Sequence, residues 1–367
     1  MTGGGFSRAR VSTWLPAIFW VLAPACEQRS PAGDAPSERV DSQRPTVAED
    51  YVLVGANGAM AFDVPPASPT SAAGVRLGKG FGFLPTGETR NVAGRRYLRI
   101  HDGRWLLDGE ISHVRPSRFA GARLAAGEAL GFGWVVARAA TVYAAADARS
   151  AAVITRPRLT RLALTGPCRK GFCPLVVGWV RAQDLSVPTV AARPAAVGPR
   201  ETWIDVDLFT QTLVAYQGDQ PRFATLVSTG IGGPGSPLAT PTGVFRIRSK
   251  HEIVRMDNLE HTGVEPYAYD VPLAQYFSDG KALHAALWHD QFGHPRSHGC
   301  INLSPEDARW LFGFTAPILE PGAGPGAGEV AATAARPGTV VRVRGQLPDD
   351  RGRAAIADAG PAGPVQR

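Results

Sequence analysis

The sequence has 367 residues, of which 44% are hydrophobic and 19% charged, and its formal net charge is +7 at pH 7. This length exceeds what one compact core usually fills, which predicts two or three domains, and the composition excludes wholesale disorder. The basic residues form no run and no stripe interleaved with aromatic side chains. The absence of such a stripe argues against nucleic-acid binding. Composition bias explains the positive net charge better than attraction to an anionic polymer does.

The N-terminus carries a predicted export signal, residues 1–25. Arg8 and Arg10 precede a twelve-residue apolar run that ends at Ala25. A membrane-spanning helix needs ~20 residues, so this run is too short to remain as an anchor. Cys26 follows small residues, as in a bacterial lipoprotein cleavage site where the cysteine is lipidated. Ordinary cleavage of the Ala-x-Ala type is the alternative. Both place the protein in the cell envelope, in the periplasm, and the first adds a lipid anchor on a membrane.

The cysteines are read in the light of that compartment. Cys168 and Cys173 flank a turn-like stretch between two strand-like runs. In an oxidising envelope this spacing predicts a disulfide, and a metal pair is less favoured because no second ligand pair lies nearby. With Cys26 assigned to processing, Cys300 is left as an odd thiol, for which catalysis is the usual reason.

In chain order, residues 26–50 lack hydrophobic periodicity and predict a tether. Short alternating runs between 51 and 115, separated by Gly-rich and Asp-Gly turns, predict a small β-barrel. A second unit, 132–187, ends in Gly178-Trp179-Val180-Arg181-Ala182-Gln183-Asp184-Leu185. This ending resembles the last strand of bacterial SH3-like modules, and the first unit resembles them faintly. Such a pair implies wall binding, or alternatively β spacers with no ligand. The Pro-rich residues 188–200 predict a linker.

Residues 201–345 predict a β-meander with one helix. Alternating apolar residues predict strands at 202–208, 213–216, 223–230 and 243–247, with a closing strand at 340–343. Ser304 is a predicted N-cap and Pro305 fits the first helical position of the helix that follows. The Gly-rich stretch 321–336 predicts a loop, and 346–367 a disordered tail.

The strongest chemical signal is the segment Ser297-His298-Gly299-Cys300. A thiol is a poor nucleophile until it is deprotonated, and a nearby imidazole can accept its proton. His298, two residues before the cysteine, and His284, sixteen before, are both candidates. Gly299 allows a tight turn in which successive backbone N–H groups converge on one acceptor, as an oxyanion hole requires.

This pattern resembles the L,D-transpeptidase family, the YkuD-type catalytic domain. That family has a His, a spacer of about a dozen or more residues, then Ser/Thr-His-Gly-Cys, a hydrophobic residue and Asn or Arg. Here His284 is followed, after twelve residues, by Ser297-His298-Gly299-Cys300-Ile301-Asn302. Segments at 204–213, 228–230 and 240–245 fit the upstream half. The resemblance covers 201–345 and implies a C-terminal β-sandwich or meander, here preceded by two small SH3-like β-barrels.

The resemblance also implies roles. Cys300 is the nucleophile and His284 the general base, oriented by a backbone carbonyl since no acidic partner is obvious. His298 supports the thiolate or its loop, and the amides of His298, Gly299 and Cys300 face the oxyanion. Four further candidates hold that loop or line the substrate groove: Ser297, Asn302, Trp288 and Tyr276. Burial in the core is the more common fate of such aromatic residues.

The implied reaction is attack by Cys300 on a peptidoglycan stem peptide, with release of D-alanine and formation of a thioester. An amine of another stem peptide, an amine of a wall-attached protein, or water resolves the thioester; water makes the enzyme an L,D-carboxypeptidase. No cofactor is implied. A zinc site on His294 and His298 is disfavoured because Gly293, Pro295 and Gly299 make a poor helix. The rival class is a non-catalytic wall-binding lipoprotein.

Overall fold

The structure is a computed structural model that describes residues 50–70, 72–258, 267–319 and 328–347. The predicted export signal, Cys26, the tether up to residue 49 and the tail from residue 348 lie outside these ranges. Within them, no helix is long and apolar enough to cross a membrane. The described chain is mainly β with one α-helix, which confirms the predicted class.

Alternating apolar and turn residues upstream produce short strands. These are β1 (Tyr51–Val54), β2 (Ala59–Phe62), β3 (Val75–Leu77), β4 (Gly82–Phe83), β5 (Pro85–Val92), β6 (Arg95–Ile100), β7 (Trp105–Leu107), β8 (Ile111–Val114), β9 (Ala122–Arg123), β10 (Phe132–Val135), β11 (Ala139–Tyr143), β12 (Ala152–Pro157), β13 (Arg161–Ala163), β14 (Phe172–Leu175), β15 (Gly178–Arg181) and β16 (Leu185–Ser186). Two 3₁₀ turns occur at Asp108–Glu110 and Ala182–Asp184.

The C-terminal part has longer strands and the helix. They are β17 (Thr202–Asp207), β18 (Thr212–Gln217), β19 (Gln220–Leu226), β20 (Gly243–Arg246), β21 (Ser249–Asp257), β22 (Ala268–Ser278), β23 (Lys281–Ala285), β24 (Ile301–Leu303), α1 (Pro305–Phe314), β25 (Glu329–Ala331) and β26 (Val340–Arg344). The pattern analysis did not predict β21, β22 or β23, whose burial patterns do not alternate cleanly between two faces. It also missed the three-residue strands β24 and β25, and β25 lies within the stretch that was predicted to be a loop.

Two sheets enclose the main core. One runs β20-β26-β17-β18-β19-β9, and the other runs β24-β23-β22-β4-β1-β8, with β21 on β22 and β25 on β21. Apolar side chains from both sheets and from α1 form a single buried cluster that includes Ile204, Leu213, Leu273, Leu283 and Leu311. Because each sheet buries one face in this cluster, β23 and β24 on either side of the segment 286–300 are packed against a common core.

Helix α1 begins as the sequence predicts. Ser304 is the N-cap, its hydroxyl accepts from the backbone N of Asp307 at 3.2 Å, and Pro305 occupies the first turn. On the helix, Trp310 stacks on Phe223 with ring centroids 4.3 Å apart. At the other end, the buried amine of Lys250 donates to the carbonyls of Phe312 and Thr315, two carbonyls at the helix C-terminus.

The first upstream unit shares a sheet with the C-terminal part. β4 pairs in parallel with β22 through Gly82 and Tyr269, and β4 in turn pairs with β1. Tyr51 on β1 donates its hydroxyl to the carbonyl of Asp270 at 3.3 Å. Leu84 N donates to the carboxylate of Asp270 at 3.1 Å. Strands β1, β4 and β8 therefore extend the sheet that contains β22, β23 and β24.

The second upstream unit is built from two small sheets, β13-β10-β16 and β12-β11-β15-β14. Its core contains Val135, Val180 and Cys173, and Cys173 is disulfide-bonded to Cys168. The segment that resembles the SH3-like ending forms β15 and the turn after it. The following residues, 188–200, lie along the C-terminal part: Ala191 N donates to the Tyr216 hydroxyl at 2.9 Å.

Asp307 links α1 to the stretch before the second unit. Its carboxylate accepts from the backbone N of Gly121 at 2.8 Å and from the Thr225 hydroxyl at 2.5 Å. Burial raises the pKa of this carboxyl from 3.8 to about 6, although these hydrogen bonds oppose the shift. The folded state therefore binds the proton of Asp307 more tightly than the unfolded chain does. This difference in proton affinity stabilises the folded state fully below pH 3.8, and the stabilisation is lost as the pH rises through about 6.

We expect Asp307→Asn, which resembles the protonated acid, to remove this pH dependence. The free energy of unfolding of the parent, minus that of the variant, should fall by roughly 3 kcal/mol between pH 3.5 and pH 7.5. Urea unfolding at a series of pH values measures the difference, in which titrations elsewhere cancel. A difference that does not change with pH would contradict the raised pKa.

Candidate active site

The predicted site residues converge on one cavity of about 420 Å³. Of the eight residues predicted between 276 and 302, all except Gly299 line it. The cavity wall also contains residues that the sequence analysis did not assign to the site: Arg255, Met256, Asp257, Tyr267, Tyr269, Val271, Gly280, Lys281 and Arg296.

Parallel pairing of β23 with β24 brings His284 and Cys300 together. His284 is the register partner of Asn302, and Leu283 is that of Ile301. Side chains alternate between faces along a strand, and Cys300 immediately precedes β24, two residues before Asn302. His284, Asn302 and Cys300 therefore project from one face, into the same cavity.

His284 is buried at 3% exposure. Its Nδ1 lies 3.0 Å from the carbonyl of Ala285, so Nδ1 carries the proton and donates to that carbonyl, which leaves Nε2 as the basic nitrogen. Burial lowers the pKa of His284 from 6.5 to about 4, with the hydrogen bond to Ala285 opposing the shift. The imidazole is therefore neutral at pH 7 and can accept a proton.

Cys300 is the free cysteine of the described chain and is partly exposed. Its thiol is 3.9 Å from the carbonyl of Gly280. Burial raises the pKa of the thiol, while the backbone N–H of Ala282 and the charge of Lys281 lower it. With His284 neutral as well, the resting pair is a thiol and an imidazole, so proton transfer accompanies nucleophilic attack rather than preceding it.

Two hydroxyl groups hold the loop before β24. Ser297 Oγ accepts from Gly299 N at 3.1 Å and donates to the carbonyl of Cys300 at 2.5 Å. Thr240 Oγ1 accepts from Gly230 N at 2.8 Å and donates to the carbonyl of Gly299 at 3.0 Å. Gly299 has φ of +110°, and a Cβ there would lie 2.8 Å from the carbonyl oxygen of Ala239, so only glycine fits.

Of the three amides that the sequence analysis placed at the oxyanion, one is already hydrogen-bonded and two are available. The N–H of Gly299 is occupied by Ser297. The N–H groups of His298 and Cys300 donate to no atom in the described part of the chain. In a planar trans peptide the N–H points away from the carbonyl, so the bond from Thr240 to Gly299 O directs the Cys300 N–H away from Thr240.

Aromatic side chains form one side of the cavity. Trp288 stacks on Tyr269 with centroids 4.6 Å apart and lies 5.9 Å from the His284 ring. His298 is exposed and stacks on Tyr267, with centroids 5.2 Å apart. Burial raises the pKa of Tyr276 to about 12, so its hydroxyl is protonated at neutral pH.

The other histidines of the segment have structural partners. The His289 ring accepts from Gln291 N through Nδ1, and its Nε2 lies 2.9 Å from the side-chain amide of Asn302. His294 Nε2 donates to the carbonyl of Val136 at 2.8 Å. Among the described residues, no group of three or more His, Cys, Asp or Glu side chains could hold a metal ion.

The second upstream unit contacts the segment between His284 and Cys300. Arg158 donates to the carbonyls of Asp290 at 2.9 Å and Phe292 at 2.7 Å. Its side chain is only 14% exposed. These contacts could not be predicted, because they join residues more than 130 positions apart.

We expect Arg158→Ala to destabilise the protein by about 2 kcal/mol, because it leaves two carbonyls near the cavity without their donor. Hydrogen exchange should rise first in residues 288–296. Arg149, whose side chain is 91% exposed on the same unit, provides the matched control, and Arg149→Ala should change neither quantity. Equal exchange in the two variants would contradict a bracing role for Arg158.

The geometry agrees with a family comparison. Residues 201–343 match YkuD, the L,D-transpeptidase catalytic domain. The matched residues are less than half of the chain. No curated protein matches the chain.

Several solved structures are similar to this part of the chain. An Enterococcus faecium L,D-transpeptidase mutant is 25% identical over 39% of this chain and 50% of its own, with a TM-score of 0.28. The isolated catalytic domain from E. faecium is 25% identical over 40% of this chain and 98% of its own, with a TM-score of 0.29. Mycobacterium tuberculosis L,D-transpeptidase 1 is 23% identical over 39% and 61%, with a TM-score of 0.28. The chain thus spans about half the length of the first of these relatives.

Proposed function

We propose that this protein is a cysteine-dependent L,D-transpeptidase that acts on peptidoglycan stem peptides through a thioester on Cys300. The observation that carries the proposal is the shared face of β23 and β24, which presents the neutral His284 and the Cys300 thiol to one cavity. The match of residues 201–343 to the YkuD family supports the same reaction class.

In the proposed first step, His284 Nε2 accepts the thiol proton as the sulfur attacks the carbonyl carbon of the third stem residue. The N–H of Cys300 stabilises the oxyanion, joined by that of His298. When the tetrahedral intermediate collapses, the bond to the terminal D-alanine breaks and His284 returns the proton to the departing amine. The products of this step are free D-alanine and the Cys300 thioester.

In the second step, an acceptor attacks the thioester and His284 again carries the proton, from the acceptor to the departing sulfur. An amine of a second stem peptide gives a cross-link, and an amine of a wall protein attaches that protein to the wall. Water gives hydrolysis and therefore carboxypeptidase activity. The charge of the cavity suits a substrate that bears carboxylates, because Lys281, Arg255 and Arg296 line it with a single acid, Asp257.

For the upstream residues, we propose two SH3-like modules at 51–115 and 132–187, in a protein exported to the envelope and lipidated at Cys26. The closing Gly178-Trp179-Val180 segment and the disulfide in the second unit support this assignment. Their contacts with residues 201–343 add a second role, support of the catalytic sheet and of the segment that precedes Cys300.

We expect Cys300→Ala to abolish D-alanine release from purified tetrapeptide muropeptides, because no other described thiol is free. The parent should also gain the mass of a carbapenem on the peptide that contains Cys300, and the variant should not. Mass spectrometry of the muropeptide products distinguishes cross-linked from hydrolysed material. Undiminished D-alanine release by Cys300→Ala would refute the proposed function.

We expect His284→Ala to slow acylation by a factor of about 10²–10⁴, the usual contribution of a general base. His101→Ala, an exposed histidine in the first upstream unit, is the control and should act like the parent. Because burial lowers the pKa of His284 to about 4, the base stays neutral above that pH. The acid limb of kcat/KM should then lie near pH 4 in the parent, and a limb near 6.5 would exclude His284 as the base.

A further inference from the structure

Lys281 joins two loops beside the nucleophile. It is the first residue of β23, and its ammonium group donates to the carbonyl of Pro237 at 3.1 Å and to that of His298 at 2.7 Å. Pro237 belongs to the loop that follows β19, whereas His298 belongs to the catalytic segment. The sequence analysis did not select this residue, because nothing local to it signals a site.

Two backbone groups, one on each side of Lys281, lie near the sulfur of Cys300. The carbonyl of Gly280 is 3.9 Å from the thiol, and the N–H of Ala282 faces it. The ammonium group itself lies against Gly299, where a Cβ would be 2.7 Å from Nζ. The tip of the β22–β23 hairpin therefore contributes a carbonyl, an amide and a cation to the neighbourhood of one thiol.

We propose that Lys281 is a positioning residue that holds the His298–Gly299 peptide in place and stabilises the thiolate of Cys300 through its positive charge. The inference deepens the proposed function, since it gives Cys300 the role of nucleophile. Lys281 is then the third side chain, after Ser297 and Thr240, whose hydrogen bonds hold the loop before β24.

Together these three side chains determine the direction of the loop's peptide groups. Lys281 holds the carbonyl of His298, and Ser297 holds the N–H on the other side of the same peptide. Thr240 holds the carbonyl of Gly299. With both peptides held, the N–H of Cys300 keeps a fixed direction and remains for an oxyanion, together with the N–H of His298. Loss of Lys281 frees one end of this arrangement.

The charge acts in a setting that otherwise disfavours a thiolate. Burial raises the pKa of Cys300, and Lys281 opposes that effect. In the part of the chain that the structure describes, no carboxylate forms an ion pair with Lys281, so its field is not cancelled by a direct partner. The other ionisable groups around the cavity are Arg255, Asp257, Tyr267, Tyr269, Tyr276, His284, Arg296 and His298.

The test is the pH dependence of alkylation of Cys300 by iodoacetamide, followed by mass spectrometry of the peptide that contains it. This measurement needs no substrate. Three variants separate charge from hydrogen bonding: Lys281→Met removes both, Lys281→Gln keeps a donor without the charge, and Lys281→Arg keeps the charge. Lys79→Met makes the same chemical change at an exposed residue of the first upstream unit and is the control.

We expect the alkylation midpoint to rise by about one pH unit in Lys281→Met and Lys281→Gln, as befits loss of a nearby opposite charge. Lys281→Arg and Lys79→Met should keep the parent midpoint. Added salt should raise the midpoint of the parent more than that of Lys281→Gln, because it screens the cation. If Lys281→Met does not fold, Lys281→Gln and the salt series still decide.

An unchanged midpoint in folded Lys281→Gln, or an equal salt response in it and the parent, would overturn the role of the charge. D-alanine release then tests the hydrogen bonds that Lys281 donates to the carbonyls of Pro237 and His298. Lys281→Met should lose more activity than Lys281→Gln, and equal activities would overturn this positioning role. If the parent releases no D-alanine from muropeptides although the alkylation shifts occur, the proposed function fails while the effect of Lys281 on the thiol stands.

Discussion

The site depends on the parallel pairing of β23 with β24. His284 and Cys300, the base and the nucleophile of the proposed reaction, are sixteen residues apart and reach one cavity only if their strands are neighbours in the right register. A shift by one residue would turn one of them to the opposite face. The pairing aligns His284 with Asn302 and so presents His284 and Cys300 to the same cavity. The hydrogen bonds from Ser297, Thr240 and Lys281 hold the loop that leads into β24.

The chain between the two strands has to return and be held without regular structure of its own. Gly293 N donates to the carbonyl of Val227 and Arg296 N to that of Thr229, which fastens the segment along the end of β19. From the other side, Arg158 and the carbonyl of Val136 hold it against the second upstream unit. Buried backbone groups need partners, and here the partners come from distant parts of the chain.

Burial gives the cavity its chemistry and sets a problem. It keeps His284 neutral and leaves Nε2 ready to accept a proton, but it also keeps the Cys300 thiol protonated. Oriented groups oppose this effect of burial. The carbonyl of Ala285 sets the tautomer of His284, and the N–H of Ala282 and the charge of Lys281 favour the thiolate of Cys300. Such preorganised dipoles act strongly where water is excluded.

Local patterns in the sequence were sufficient for several of the elements and for the candidate reactive groups. The N-cap at Ser304, the alternation of β17 and β18 and the adjacency of Cys168 and Cys173 each depend on residues a few positions apart, so they can be read directly. The same holds for the Ser297-His298-Gly299-Cys300 segment, whose chemistry follows from its residue types.

Tertiary structure decided what depends on residues far apart. It aligns His284 on β23 with Asn302 on β24, on the face from which Cys300 also projects, and brings Lys281 against the loop. It also extends the sheet of β22, β23 and β24 with β4 and β1 from a unit that the sequence presents as separate. The physical reason is common to all three: register and long-range hydrogen bonds arise from pairing between distant segments, and local propensity carries no record of that pairing.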